Sequence, residues 1–171
     1  MTQHLETELV HNYSELQRII LSIMEDFLSS DRSEFDKKID SALGKLGEFV
    51  CADRVYIFNY DFENYTCSNT YEWCKEGIIP VIDELQNVSL DDIPHWVGPH
   101  RRGEAVYLPD VMALKEDDGV RQILEPQGVL SLLAVPMMKN NRCYGFIGFD
   151  SVSSKHEYND FERKALSDFS K

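Results

Sequence analysis

Near the N-terminus, apolar side chains recur at helical spacing. Leu9, Tyr13, Leu16, Ile20, Ile23 and Phe27 are separated by alternating steps of four and three, which draws one seam down a helix. Such a seam suits a coiled coil or helix bundle, and equally a single amphipathic helix lying on its own domain. The polar segment Ser29 to Ser33 breaks the pattern. Ser33 with Asp36 resembles a capping box, after which Phe35, Ile39, Ala42, Leu43, Leu46 and Val50 form the apolar stripe of a second helix ending near Val50.

The period then changes. ADRVYIFNYD (Ala52 to Asp61) and TCSNTYEW (Thr66 to Trp73) are rich in β-branched and aromatic residues and flank a turn at Phe62 to Asn64, so they predict an antiparallel hairpin. Its aromatic residues Tyr56, Phe58, Tyr71 and Trp73 are available to pack or to line a cavity. Gly77 and Pro80 punctuate the chain, and Ile82 and Leu85 suggest a short helix. Asp91-Asp92-Ile93-Pro94 starts another, with proline just inside it, which Arg101-Arg102-Gly103 closes. Glu104 to Val111 predicts a strand stopping at Pro109, and Asp117 to Glu125 a helix ending before Pro126-Gln127-Gly128.

The most apolar stretch is SLLAVPMMKNNRCYGFIGFDSV, Ser131 to Val152. It reads as a long β-hairpin turning at Lys139 to Arg142, where asparagines tolerate left-handed backbone. Consecutive Leu132, Leu133, Ala134 and Val135 call for cover on both faces, and place this hairpin at the centre of a sheet. Gly145 and Gly148 mark a close approach, by either a packed side chain or a ligand. A polar loop, Ser153 to Tyr158, leads to a final helix whose face carries Tyr158, Phe161, Ala165 and Phe169. No glycine or proline stops that helix before Lys171, so it is expected to run on in a longer parent protein. Hairpins with helices inserted between them give an α+β class, with a first amphipathic helix over 1–32 and a single domain over 33–171.

Composition narrows the function. The 171 residues include 30 acidic and 17 basic side chains, a net charge of −13, which repels nucleic-acid backbones and anionic membrane surfaces. No apolar run approaches the roughly 20 residues of a membrane span, and no signal peptide is visible, so the expectation is a soluble cytoplasmic chain. Cys51, Cys67, Cys74 and Cys143 form no CxxC pair and show no zinc-ligand spacing. His95 and His100 lie five apart, off the i, i+4 spacing that sets two metal ligands on one helical face. No metal and no cofactor is expected.

Over the span from Phe35 to Lys171 the chain resembles a GAF domain, a small-molecule-sensing relative of the PAS fold. The resemblance rests on the order of ADRVYIFNYD, YEWC, IPHW, GEAVYLPDV, QGVLSLLAVPMM and YGFIGFDSV. The pattern is most similar to GAF domains placed before diguanylate cyclase, phosphodiesterase or histidine kinase domains of bacterial signalling proteins. Many members carry tryptophan shortly after the FDS stretch, where this chain has Glu157-Tyr158. The resemblance implies a six-stranded antiparallel sheet, with terminal helices on one face and short helices covering a pocket on the other. It also implies a homodimer through the terminal helices and a signal relayed to an output domain. The chain itself is then not an enzyme. FDSV stands where cyclic-nucleotide GAF domains have an asparagine-lysine pair. Asp92-Ile93-Pro94 resembles the phytochrome DIP triplet, but no Cys-His follows. The cysteines do not match those of the methionine-sulfoxide reductases with this fold.

Candidate contacts for a small-molecule ligand are Arg54, Tyr71, Trp73, Trp96, Tyr107, Asp110 and Asp150. Asp150 ranks first, because it ends a nearly all-apolar strand and a buried carboxylate needs a partner. Arg54 is the expected partner, in a structural ion pair. Three functions are compatible with the residues: a ligand sensor, a ligand-free dimerisation and relay module, and a thiol enzyme using Cys67 and Cys74.

Overall fold

The computed structural model describes residues 2–28 and 34–169. The proposed Ser33 cap and the side chains of Leu9, Ala165 and Phe169 lie outside the described residues. Helix α1 runs from Thr2 to Leu28 and α2 from Phe35 to Phe49. They are followed by strands β1 (Arg54–Asp61) and β2 (Thr66–Cys74), a 3-10 turn at Ile82–Glu84, and the two-residue strand β3 (Val88–Ser89). Helix α3 (Pro94–Arg101) precedes β4 (Val106–Leu108), and α4 (Gly119–Leu124) precedes the hairpin of β5 (Ser131–Lys139) and β6 (Arg142–Ser151). Helix α5 spans Asp160–Phe169.

The six strands form one antiparallel sheet in the order β3-β2-β1-β6-β5-β4. Its central pair is β1 with β6, so the β5–β6 hairpin sits one place off centre. The long hairpin cannot be the middle of the sheet, because β1 pairs with the outer side of β6 along Arg54 to Asn59, while only the three residues of β4 extend the sheet beyond β5. The hairpin turn reflects its residues: Asn140 and Asn141 have φ of 51° and 60°, the left-handed pair that closes a two-residue hairpin with the sheet's natural twist.

Both faces are covered. On one, Val55, Leu133, Val135, Ile147 and Phe149 pack against Leu16 and Ile23 of α1, Leu43 and Leu46 of α2, and Leu166 of α5. On the other, Tyr56, Phe58, Leu132, Ala134 and Phe146 pack under Trp96 and Val97 of α3 and Val120 and Leu124 of α4. The run Leu132 to Val135 divides alternately between these two cores, which is why it carries no polar residue. In α1 the seam splits as well. Leu16 and Ile23 are buried, whereas Tyr13 is 54% exposed, and beside it Leu21, Met24 and Leu28 form an exposed apolar strip.

The two glycines of β6 serve packing. A Cβ on Gly148 would meet the Tyr56 ring at 2.0 Å, and one on Gly145 would meet the Phe58 carbonyl oxygen at 1.9 Å. Gly148 thus makes the space in which Tyr56 lies flat across the sheet. Gly148→Ala is expected to cost about 1–3 kcal/mol through overpacking, measured by urea unfolding. An unchanged midpoint would show that Tyr56 moves aside freely.

Candidate functional site

Strand parity builds the site. Arg54, Tyr56 and Phe58 alternate along β1 toward the α3–α4 face, and Asp150, Gly148 and Phe146 do the same from β6. The register sets Arg54 directly opposite Asp150. Their side chains are only 1% and 2% exposed, with Arg54 Nε 3.7 Å from Asp150 Oδ2. That is close enough for Coulomb attraction and too long for a hydrogen bond. Asp150 Oδ1 accepts a 2.8 Å hydrogen bond from the Tyr56 hydroxyl. The Arg54 guanidinium reaches the other way, donating long bonds to Gln127 Oε1 at 3.5 Å and to the Gln127 carbonyl at 3.4 Å. Arg54 Nε has no hydrogen-bond partner among the described residues. Burial pushes the Asp150 carboxyl up to about 6, against the downward pull of Arg54 and Tyr56.

In front of this pair lies a cavity of about 50 Å³, room for a few water-sized groups. Phe58, Trp96, Phe146 and the Tyr56 ring form aromatic walls, and Ile123 and Leu124 of α4 close it from above. Its polar lining comes from Asp150 and Gln127, with Cys67 at one side. Phe58 and Phe146 stack at 4.9 Å with 8° between their planes, each covering one face of the other. Trp96 is buried, and its Nε1–H has no acceptor among the described residues.

Of the seven sequence candidates, the structure brings together Arg54, Trp96 and Asp150. Tyr71, Trp73 and Tyr107 lie on the opposite face, and the reason is geometric. The β1–β2 register jumps from Ile57↔Tyr71 to Phe58↔Asn69, so Thr70 is an extra residue. A bulge of one residue reverses the parity of the strand beyond it. Cys67 and Asn69 therefore point to the cavity side. Tyr71 points to α2, where its hydroxyl donates to Asp36. Trp73 lies on Gly44 and Gly47, where a Cβ on the latter would meet its ring at 2.4 Å. Tyr107 pairs with Leu133 and packs edge-on against Tyr158. Asp110 is a surface residue. It caps the adjoining 3-10 turn by accepting from Met112 N–H, and it pairs with Lys155 at 2.5 Å.

Tyr56, Phe58, Phe146 and Gln127 are the site residues that the candidate set lacked. Parity alone reaches the first three from Arg54 and Asp150. Gln127, in the turn after α4, had no signal in the sequence.

The cysteines are free thiols. Burial pushes Cys67 and Cys74 each up to about 12, so neither offers a thiolate near neutral pH, which disfavours thiol catalysis. No group of three or more metal-ligating side chains occurs among the described residues. His100 is a structural residue. Its Nδ1 accepts from the Tyr60 hydroxyl at 2.7 Å, and its Nε2 lies 3.3 Å from the Ala134 carbonyl, which assigns the proton to Nε2. Burial lowers its pKa to about 4.

An antiparallel sheet with an aromatic cavity on one face and terminal helices on the other defines a small α+β domain. The chain belongs to the GAF domain family, whose model matches residues 34–171. It is 33% identical over 144 residues to the methanogenesis regulatory histidine kinase FilI of Methanothrix harundinacea, a match covering 78% of this chain and 15% of that protein. The chain thus corresponds to a small part of that kinase. Solved structures share the fold. The blue-light absorbing form of the Thermosynechococcus elongatus PixJ GAF domain is 21% identical, with a TM-score of 0.68 over 83% of this chain and 85% of that one. A far-red absorbing dark state with bound biliverdin IXa is 16% identical, with a TM-score of 0.73 over 91% and 93%. The chromophore-binding domain of a Stigmatella aurantiaca phytochrome is 13% identical, with a TM-score of 0.68 over 91% and 57%. No helix among the described residues is long and apolar enough to cross a membrane.

The buried titratable groups set opposing pH responses. His100 binds its proton at about 4 when folded and near 6.5 when unfolded, so acid below 6.5 favours unfolding, by roughly 3 kcal/mol at pH 4. Asp150 binds at about 6 when folded and near 3.8 when unfolded, so acid below 6 favours folding. The two offset each other in the native chain. Asp150→Asn is expected to lose stability on going from pH 7 to pH 4 more steeply than the unmodified chain, and His100→Gln less steeply, in urea melts. Parallel slopes for all three proteins would refute both assignments.

Proposed function

We propose that this chain is the regulatory, non-catalytic sensor domain of a signalling protein. In this reading a small molecule enters the cavity non-covalently and the change passes through α1, α2 and α5 to an output domain outside this chain. The observation that carries the reading is the aromatic cavity backed by a desolvated Arg54–Asp150 pair. A buried ion pair with poorly satisfied hydrogen bonds is weak as a stabilising device, and a pocket with apolar walls and a few converging polar groups is what small ligands use. The similarity to a histidine kinase makes a kinase the favoured output. The chromophores of the structural neighbours support a small-molecule occupant, although no Cys-His pair stands ready here for covalent attachment.

A second reading, a ligand-free relay module, is favoured by the small size of the cavity. A thermal-shift screen of neutral, acidic and basic metabolites, with native mass spectrometry of the purified chain, separates the two. Sensing predicts a retained mass or a compound that raises Tm. Relay predicts neither across the whole library.

Dimerisation is part of either reading. The strip of Leu21, Met24 and Leu28 on α1, 58%, 54% and 85% exposed, is the proposed seam between two copies. Leu21→Glu with Met24→Glu is expected to yield a monomer in sedimentation, with Tm changed little beyond the loss of the dimer. A chain that is monomeric before substitution would overturn the seam.

A further inference from the structure

Resting on the sensing reading, the polar end of the cavity specifies what kind of molecule fits. We infer that the site takes an uncharged, single-ring ligand carrying one N–H or O–H group, which donates to Asp150 Oδ2 while its ring packs among Phe58, Trp96 and Phe146.

Charge sets the first limit. Arg54 and Asp150 already balance one another, and both are almost fully desolvated. A cationic or anionic ligand would bring in an uncompensated charge where no other ionised side chain lines the cavity, and a lone charge is costly in an apolar site. An uncharged molecule avoids that cost. The carboxylate sets the second limit. Of its two oxygens, Oδ1 holds the Tyr56 hydroxyl, whereas Oδ2 faces Arg54 Nε at 3.7 Å with no close donor among the described residues. A carboxylate has about four acceptor positions, so Oδ2 can accept from a ligand without losing an existing bond. Tyr56 commits its hydroxyl proton to Asp150 Oδ1 and Arg54 turns its guanidinium to Gln127, so the carboxylate is the acceptor a ligand would meet at this end.

The walls call for a ring. Phe58 and Phe146 stack on one another, and Trp96 tilts at 56° to Phe146 with centroids 5.9 Å apart, so an entering aromatic or unsaturated ring would meet aromatic edges and outer faces in the tilted and edge-to-face geometries such rings favour. At about 50 Å³ the cavity is smaller than such a ring, so Gln127 and Ile123 must shift outward as it enters. Gln127 is held to Arg54 only by contacts of 3.4 and 3.5 Å, at the long limit of hydrogen bonding, while its Nε2 donates to the Ile123 carbonyl at 2.8 Å, so the two residues would move together.

Four one-ring probes test this on the 171-residue chain. Phenol is uncharged with a donor, fluorobenzene is uncharged without one, benzoate is anionic and benzylammonium cationic. The chain's two tryptophans report on opposite faces, Trp96 at the cavity and Trp73 against α2, so their side-chain N–H signals in nitrogen-edited NMR locate binding. Phenol should shift the Trp96 signal and leave that of Trp73 in place. It should bind at least about tenfold more tightly than fluorobenzene, the usual effect of a hydrogen bond to a charged acceptor. In Asp150→Asn that ratio should fall to a few-fold. Tyr56→Phe keeps the carboxylate and frees Oδ1, so it should retain or enlarge the ratio, which keeps the test decisive if Asp150→Asn does not fold. Equal binding of phenol and fluorobenzene would confirm the cavity and overturn the donor. Tighter binding of benzoate or benzylammonium would overturn the uncharged class. If no probe shifts Trp96, the single-ring class is overturned, while the metabolite screen still decides the sensing reading on its own.

Discussion

A guanidinium and a carboxylate sit opposite one another at the ends of the two central strands, 3.7 Å apart and out of contact with water. Neither can be removed alone without leaving a charge in an apolar interior, a loss generally of about 3–5 kcal/mol. Their placement therefore constrains everything nearby. Tyr56 must lie across Gly148 to reach Asp150, and a side chain on Gly148 would block it. Gln127 must present both its side chain and its carbonyl to Arg54, which fixes where the chain turns after α4. The positive φ of 71° at Gly128 then returns the chain to β5.

The sheet divides the molecule by role. One face is a hydrophobic contact with three helices; the other is an aromatic box under short helices. Those lid helices owe their ends to local chemistry: Asp118 accepts from Val120 N–H at the start of α4, and Pro94 sits in the first turn of α3. Elements this short have little intrinsic helical stability and depend on the apolar side chains they bury, among them Trp96, Val97, Val120 and Leu124.

Much of this was legible in the residues. Alternation from helical to strand period located the principal helices and the long strands, and the doubly apolar run at Leu132 to Val135 announced a sheet covered twice. The Arg54–Asp150 pair could be named because a carboxylate at the end of an apolar strand requires a counter-charge. The illegible part depended on one inserted residue. Without the bulge at Thr70, Tyr71 and Trp73 would share the face of Cys67 and Asn69; with it they turn to α2, and composition gives no sign of the change. Tyr107 was ambiguous for a related reason, since three residues in β4 are too few to fix parity. The two residues of β3 carry no periodic signal at all, and their pairing with Thr66 and Cys67 exists only through tertiary position.

Asp53, next to Arg54, is held below the usual carboxylate range: burial pushes it up, but the N–H groups of Ser153 and Val152 outweigh that. Both bonds, at 2.7 Å, fasten the start of β1 to the segment that leaves β6 for α5. The backbone just before it is tied to α2 through Ala52 N–H and the Gly47 carbonyl. One side chain thus grips the exit toward α5 while its neighbour reaches the lid through Gln127, and a single planar peptide unit joins them. The carbonyl of that unit accepts from Lys75 N–H at 2.9 Å, so the grip on the lid and the grip on the exit toward α5 share one fixed anchor in the sheet.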